Sequence, residues 1–175
     1  MSKLLALICA GAVTASGLIV FPTSLQAADS MAARDKAAIE ALEARVAAAF
    51  NAKDVNAIMR VYEPGPNLFV FDVGPPRQHV GSADYRADWE DTFKSMSGPV
   101  HFSISNLSVT VAGSMAYGHS IQTVRSTRTN GSTSDLVVRV SDVYRKIHGK
   151  WLIVQEHVSV PVDLDTGKGD LLSKP

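Results

Sequence analysis

From His101 to Ser159 the chain alternates polar and apolar residues almost without interruption, and the interruptions read as turns. HFSISNLSVTV, MAYGHSIQTVRSTR, DLVVRVSDVYRKI and KWLIVQEHVS each carry the period of two that a half-buried strand requires. Gly113 separates the first pair, Thr129–Ser132 (TNGS) the second, and His148-Gly149 the third. Short glycine-containing connections join antiparallel neighbours. A meander of long strands has one face to bury, so something else in the chain must cover it.

The cover stands upstream. Ile39, Leu42, Val46, Ala49 and Phe50 recur at three and four residues in an alanine-rich stretch, which predicts a helix over 32–53. Asp54 is the expected cap of a short second helix through Ile58, Met59 and Tyr62, ended by EPGP at 63–66. LFVFD, 68–72, reads as a short strand and 73–81 as a loop or bent edge strand. Ser82 is the expected cap of a third helix bearing Tyr85, Trp89 and Phe93, with SGP at 97–99 as its stop. Helices followed by a meander predict an α+β fold. Its curved antiparallel sheet would wrap on the N-terminal helices as a cone open at one end, a natural ligand pocket.

Residues 1–27 have the layout of a secretory signal. Lys3 is followed by an apolar run from Leu4 to Phe21, a break at Pro22 and the small residue Ala27. An uncleaved anchor is the alternative, since the run approaches the length of a bilayer span; the Gly, Ser and Thr residues that dilute it favour cleavage. The expectation is therefore an exported protein, periplasmic or secreted, with a domain at 28–161, a tail at 162–175 and no membrane contact once cleaved. Cys9, the only cysteine, falls in that leader. The exported chain would then have no disulfide, thiol nucleophile or thiolate metal site. With 17 basic and 17 acidic residues, no nucleic-acid partner is expected. No paired-histidine metal motif, phosphate loop or nucleophile elbow is present, so neither metal nor cofactor is expected.

The last strand holds the candidate chemistry. Alternation puts Trp151, Ile153, Gln155, His157 and Ser159 on one face and Leu152, Val154, Glu156 and Val158 on the other. If His148-Gly149 is the whole turn, Ile147 pairs with Lys150. Counting back, Asp142 faces Gln155 and Val140 faces His157. Asp142, Gln155, His157 and Ser159 would then share the pocket face, a result that a one-residue slip would undo.

Three segments carry a resemblance: FNAKDVNAIMRVY (50–62), FDVGPPRQHVG (71–81) and SDVYRKIHGKWLIVQEHVS (141–159). Their order and spacing resemble the SnoaL-like and ketosteroid-isomerase-like branch of the nuclear transport factor 2-like superfamily, whose fold is also described as cystatin-like. The resemblance covers about 34–161 and implies the cone fold and a homodimer formed through the sheet. It places Asp72 where ketosteroid isomerase has its carboxylate base, and Asp142 near that enzyme's protonated aspartic acid. It also makes Trp89 a pocket aromatic and puts Val46 where the enzyme's oxyanion-hole tyrosine would stand.

The ending G-K-W…H-x-S is similar, too, to the association domain of calcium/calmodulin-dependent protein kinase, which assembles subunits. That likeness favours an inward His119, although His119 and Tyr117 could equally both point out. Gly118 between them is a possible bulge. His79 draws attention because it lies between Asp72 and Gly81.

Two functions follow from the resemblance. One is binding of a small, largely apolar organic molecule with isomerase- or lyase-type proton transfer, using Asp72 as base and Asp142 or His157 as acid. The other is a non-catalytic ligand-binding or assembly module in which the same residues are contacts or structural bonds.

Overall fold

The computed structural model describes residues 24–173. The expected leader lies outside them except for its last four residues, which begin the first helix. The elements are α1 (Ser24–Ala52), α2 (Val55–Met59), β1 (Phe69–Phe71), β2 (His79–Val80), α3 (Ser82–Lys94), β3 (Met96–Ala112), β4 (Met115–Arg128), β5 (Thr133–Ile147) and β6 (Lys150–Ser159). The six strands form one sheet in the order β2-β1-β6-β5-β4-β3. α1 packs against both β3 and β6, which are separated in the sheet by β4 and β5. A flat sheet could not bring both to one helix, so the sheet is curled around α1 and the cone follows.

The expected antiparallel sheet needs one correction. β1 runs parallel to β6, with Phe69 beside Gln155 and Phe71 beside His157, so the sheet is mixed. Parallel neighbours need a long connection, and here everything from β2 through β5 supplies it. The meander itself is as read. The two-residue turn places His148 and Gly149 at φ 48° and 78° and pairs Ile147 with Lys150. Positive φ at both central positions matches the right-handed twist of the flanking strands.

The periodic residues of α1 are the core: Ile39, Leu42, Val46, Ala49 and Phe50 are all buried. Phe50 stacks on Phe102 at 4.4 Å and meets Trp89 and Phe93 edge-on, each at 5.4 Å. The N-A-x-D phrase fixes the corner that follows. Asn51 Nδ2 donates to Phe102 O at 2.9 Å, and Phe102 N donates to Asn51 Oδ1 at 2.8 Å. Lys53 turns the chain at φ 51°, and Asp54 caps α2 by accepting from Ala57 N at 2.9 Å.

Two local expectations change, and a third is narrowed. The N-cap of α3 is Gly81 at φ 86°, while Ser82 Oγ accepts from Gly65 N at 2.9 Å. SGP does not stop α3 but falls inside β3, where the register with β4 breaks between Ser97 and His101. The tail, which the sequence reads as loop or frayed, is a loop tied to the sheet: Val162 bridges Gly169, and Leu171 O accepts from Val137 N at 2.8 Å, where β6 has already ended.

Gly118 is not a bulge either; it pairs regularly with Val109 and Asp142. A Cβ there would lie 3.2 Å from the Tyr144 hydroxyl and 3.1 Å from Ser108 O, so glycine makes room for Tyr144. Tyr144, Trp151 and Ile153 are buried in the core, and Trp151 Nε1 donates to Asp35 at 3.0 Å.

Candidate functional site

The cone holds a cavity of about 330 Å³. Its walls are Phe50, Trp89, Phe102, Val124, Leu136, Val138 and Val158, with Val46 from α1. Three carboxyl groups, Asp72, Asp88 and Glu156, gather toward β1 and β6, with the imidazole of His79 beside them. Toward the β4–β5 turn the lining becomes Ser126, Ser134 and Arg128. An apolar pocket with a few convergent polar groups is what a small organic ligand requires.

Glu156 is the centre of the acidic end. It is only 6 % exposed, yet two phenols reach it. Tyr62, just after α2, donates to Oε2 at 3.0 Å, and Tyr85 from α3 donates to Oε1 at 2.9 Å. The Tyr85 hydroxyl also lies 3.2 Å from Asp72 Oδ2, so one phenol proton is shared between two carboxyl groups. Burial disfavours the Glu156 charge and the nearby Asp72 charge adds to this; the two phenols oppose them. The net effect is a carboxyl pushed up to about 7. Burial raises both phenols well above the ordinary tyrosine range, so they stay protonated and remain donors.

A second acidic layer lies behind. Asp142 is 3 % exposed and pairs with Glu156 across the strands, but it does not line the cavity. The Tyr144 hydroxyl donates to Glu43 on α1 at 2.8 Å and lies 3.3 Å from Asp142 Oδ2. Burial first, then the charges of Glu156 and Glu43, hold the Asp142 carboxyl well above its ordinary value. Burial likewise raises Glu43, against the Tyr144 hydrogen bond. On the cavity side, His79 is buried with Nδ1 3.3 Å from Asp84 and Nε2 3.8 Å from Asp88.

The seven sequence candidates separate. Asp72 and Trp89 line the cavity, and Asp142 stands one layer behind it. Gln155, His157 and Ser159 do not line it, which corrects the expected pocket face. Val143 pairs with Gln155 and Tyr144 with Ile153, leaving Val154 over as an extra residue in β6. That bulge inverts the alternation beyond it: Glu156 and Val158 point in, while Gln155 and His157 are exposed on the outer face. His157 packs its ring against Phe71 at 5.5 Å. His119 is also exposed, together with Tyr117, so the outward alternative holds for that pair. Glu156, Tyr62 and Tyr85 were missed as site residues. The available signal was an acid set in the otherwise apolar row Leu152, Val154, Val158.

The family profile described as "SnoaL-like domain" matches residues 39–163, which take in every element from the latter half of α1 to β6. The chain belongs to the SnoaL-like family. Its fold is that of the nuclear transport factor 2-like proteins. A protein of that type from Pseudomonas putida KT2440, of unknown function, is 28% identical, with 86% of this chain and 98% of that one covered at a TM-score of 0.70. A putative dehydratase from Streptomyces avermitilis shares the fold at 14% identity, 73% and 97% coverage and TM-score 0.63. So does a putative calcium/calmodulin-dependent protein kinase II association domain from Xanthomonas campestris, at 22% identity, 73% and 86% coverage and TM-score 0.57. A comparison with curated proteins finds no match. Val46, which the resemblance sets where ketosteroid isomerase has a tyrosine, is on the cavity wall of this SnoaL-like domain. The phenols come instead from Tyr62 and Tyr85.

Proposed function

We propose that this SnoaL-like domain binds a small, largely apolar organic molecule in its cone and transfers a proton on it, in the manner of an isomerase or lyase. The observation that carries this is Glu156, a carboxyl on the cavity wall held by two phenols and poised near neutrality. A general base works best when it titrates near the working pH. Ionised Glu156 removes a proton from a carbon beside a carbonyl; the same proton returns to a second carbon, or a leaving group departs from the adjacent one. Buried Trp89 Nε1–H has no acceptor among the described residues and is a donor for the carbonyl oxygen as charge builds on it.

The test uses 3-cyclohexen-1-one, whose conversion to the conjugated enone is followed in the near ultraviolet. The rate should rise with pH through a midpoint near that of Glu156, about 7. Tyr62→Phe removes one hydrogen bond that favours the carboxylate and should move the midpoint up by about one pH unit. A rate flat from about pH 5 to 9, or a midpoint unmoved in Tyr62→Phe, would sink the assignment.

A second reading is a pocket that binds without turnover. It is favoured by the two hydrogen bonds Glu156 already accepts, which make it a structural acceptor joining the segment after α2, α3 and β6. Unchanged 3-cyclohexen-1-one in the presence of a bound ligand supports that reading.

Export and dimerisation are part of the proposal. They are supported by the layout of residues 1–27 and by exposed apolar groups on the outer sheet such as Tyr117 and Met115. A native mass spectrum of protein recovered from outside the cytoplasm tests both. A doubled mass with chains starting near Ala28 is expected; a chain retaining Met1, or a monomer at micromolar concentration, counts against them.

A further inference from the structure

The end of the cavity remote from Glu156 has a different chemistry, and the acid–base reading does not use it. Gln122, Val124, Ser126 and Arg128 follow one another on the inner face of β4 and all line the cavity. Ser126, 4 % exposed, is paired directly with Ser134 of β5, and neither hydroxyl bonds to any described residue. Arg128 stands two residues beyond, with no carboxylate within ion-pair distance among the described residues. The contrast with Arg125 on the outer face is direct, since Asp135 holds that guanidinium at 2.8 Å. The hairpin therefore neutralises its outward arginine and leaves Arg128, which lines the cavity and is also exposed to solvent, without a carboxylate.

The cavity is electrically polar along its length. Asp72, Asp88 and Glu156 stand at one end and a single unpaired cation at the other. Glu156 pairs with Asp142, and from Asp142 to Ser134 there are eight residues of β5. That is about 26 Å of strand, shortened in space by the curl. A ligand reaching both ends is elongated. One guanidinium flanked by neutral hydroxyls matches one negative charge, and Arg suits a carboxylate head through its fork of donors. The acidic end repels that head and so fixes the orientation.

Building on the proton-transfer reading, we propose that the substrate class is an elongated apolar monocarboxylate. Its carboxylate sits at Arg128 with Ser126 and Ser134, and its reacting carbon lies toward Glu156.

Titration calorimetry with octanoate and 1-octanol, equal in chain length and different in head, tests this. The parent protein should bind octanoate roughly tenfold tighter than octanol, the size expected of one charge-assisted contact. Arg128→Met should abolish that preference while leaving octanol binding within about twofold, and Arg128→Lys should keep part of it. Glu156→Gln should retain it in full. Equal binding of the two probes by the parent, no octanoate binding, or a preference that survives Arg128→Met overturns the assignment. The two proposals fail separately. Isomerisation insensitive to Glu156→Gln removes the base and leaves the anion preference standing. A missing preference with intact isomerisation removes the anion site alone.

Discussion

Glu156→Gln should lower the isomerisation rate by about 100- to 10,000-fold, the usual worth of a positioned general base, and should at the same time make the protein more stable at pH 8. The two effects share one cause. The folded-state carboxyl is pushed up to about 7 from an ordinary 4.5, so between those values the folded protein holds a proton that the unfolded chain releases. The stability this gives is complete below the unfolded value and is lost as pH rises through about 7. By pH 8 the loss is on the order of 3 kcal/mol for this one group. Glutamine keeps the shape of the neutral acid and cannot ionise. Urea unfolding at pH 5 should therefore find parent and variant alike, and at pH 8 should find the variant ahead. A variant weaker than the parent at pH 8 would mean that the two phenols hold the anion more firmly than water does, and the pH-rate argument would go with it.

Asp142→Asn is the second large effect, and it separates the hidden acidic layer from the reacting one. Asp142, Glu43 and Glu156 are buried together, with no cation within ion-pair distance among the described residues. Desolvation, reinforced at Asp142 by the charges of the other two, raises all three. The sign is the same at each: stability present at low pH and lost as pH climbs through the raised folded values. Asparagine at 142 should leave stability at pH 5 within about 1 kcal/mol of the parent and flatten its decline toward pH 8. The midpoint of the rate profile should stay where it is, because burial already disfavours the charge on Asp142. A shifted midpoint would show that Asp142 ionises in the working range.

Much of this architecture was legible because it rests on local chemistry. The α1 stripe, the Asp54 cap and the His148-Gly149 turn are each specified by residues a few positions apart, and each stands where the sequence puts it. Asp72 and Trp89 were found through the family pattern, which carries fold-level position. The bulge at Val154 was not legible. Nothing in IVQEH distinguishes an even strand from one with a spare residue; the choice is made by Tyr144 and Glu156 needing the interior together. One uncounted residue exchanged Glu156 for Gln155 and His157, and with them the centre of the site. The parallel pairing of β1 is likewise a tertiary outcome, decided by where the helices leave the chain.

The Asn51 clamp reaches beyond the corner it fixes. β3 is the outermost strand on its side of the sheet, 17 residues long, and an edge strand offers unpaired backbone groups to another chain. By taking both the N–H and the C=O of Phe102, a single carboxamide stands in for a neighbouring strand's peptide bond at that point. An incoming chain meets a ladder whose rung at Phe102 is already occupied, and the sheet is guarded there against growing by accretion.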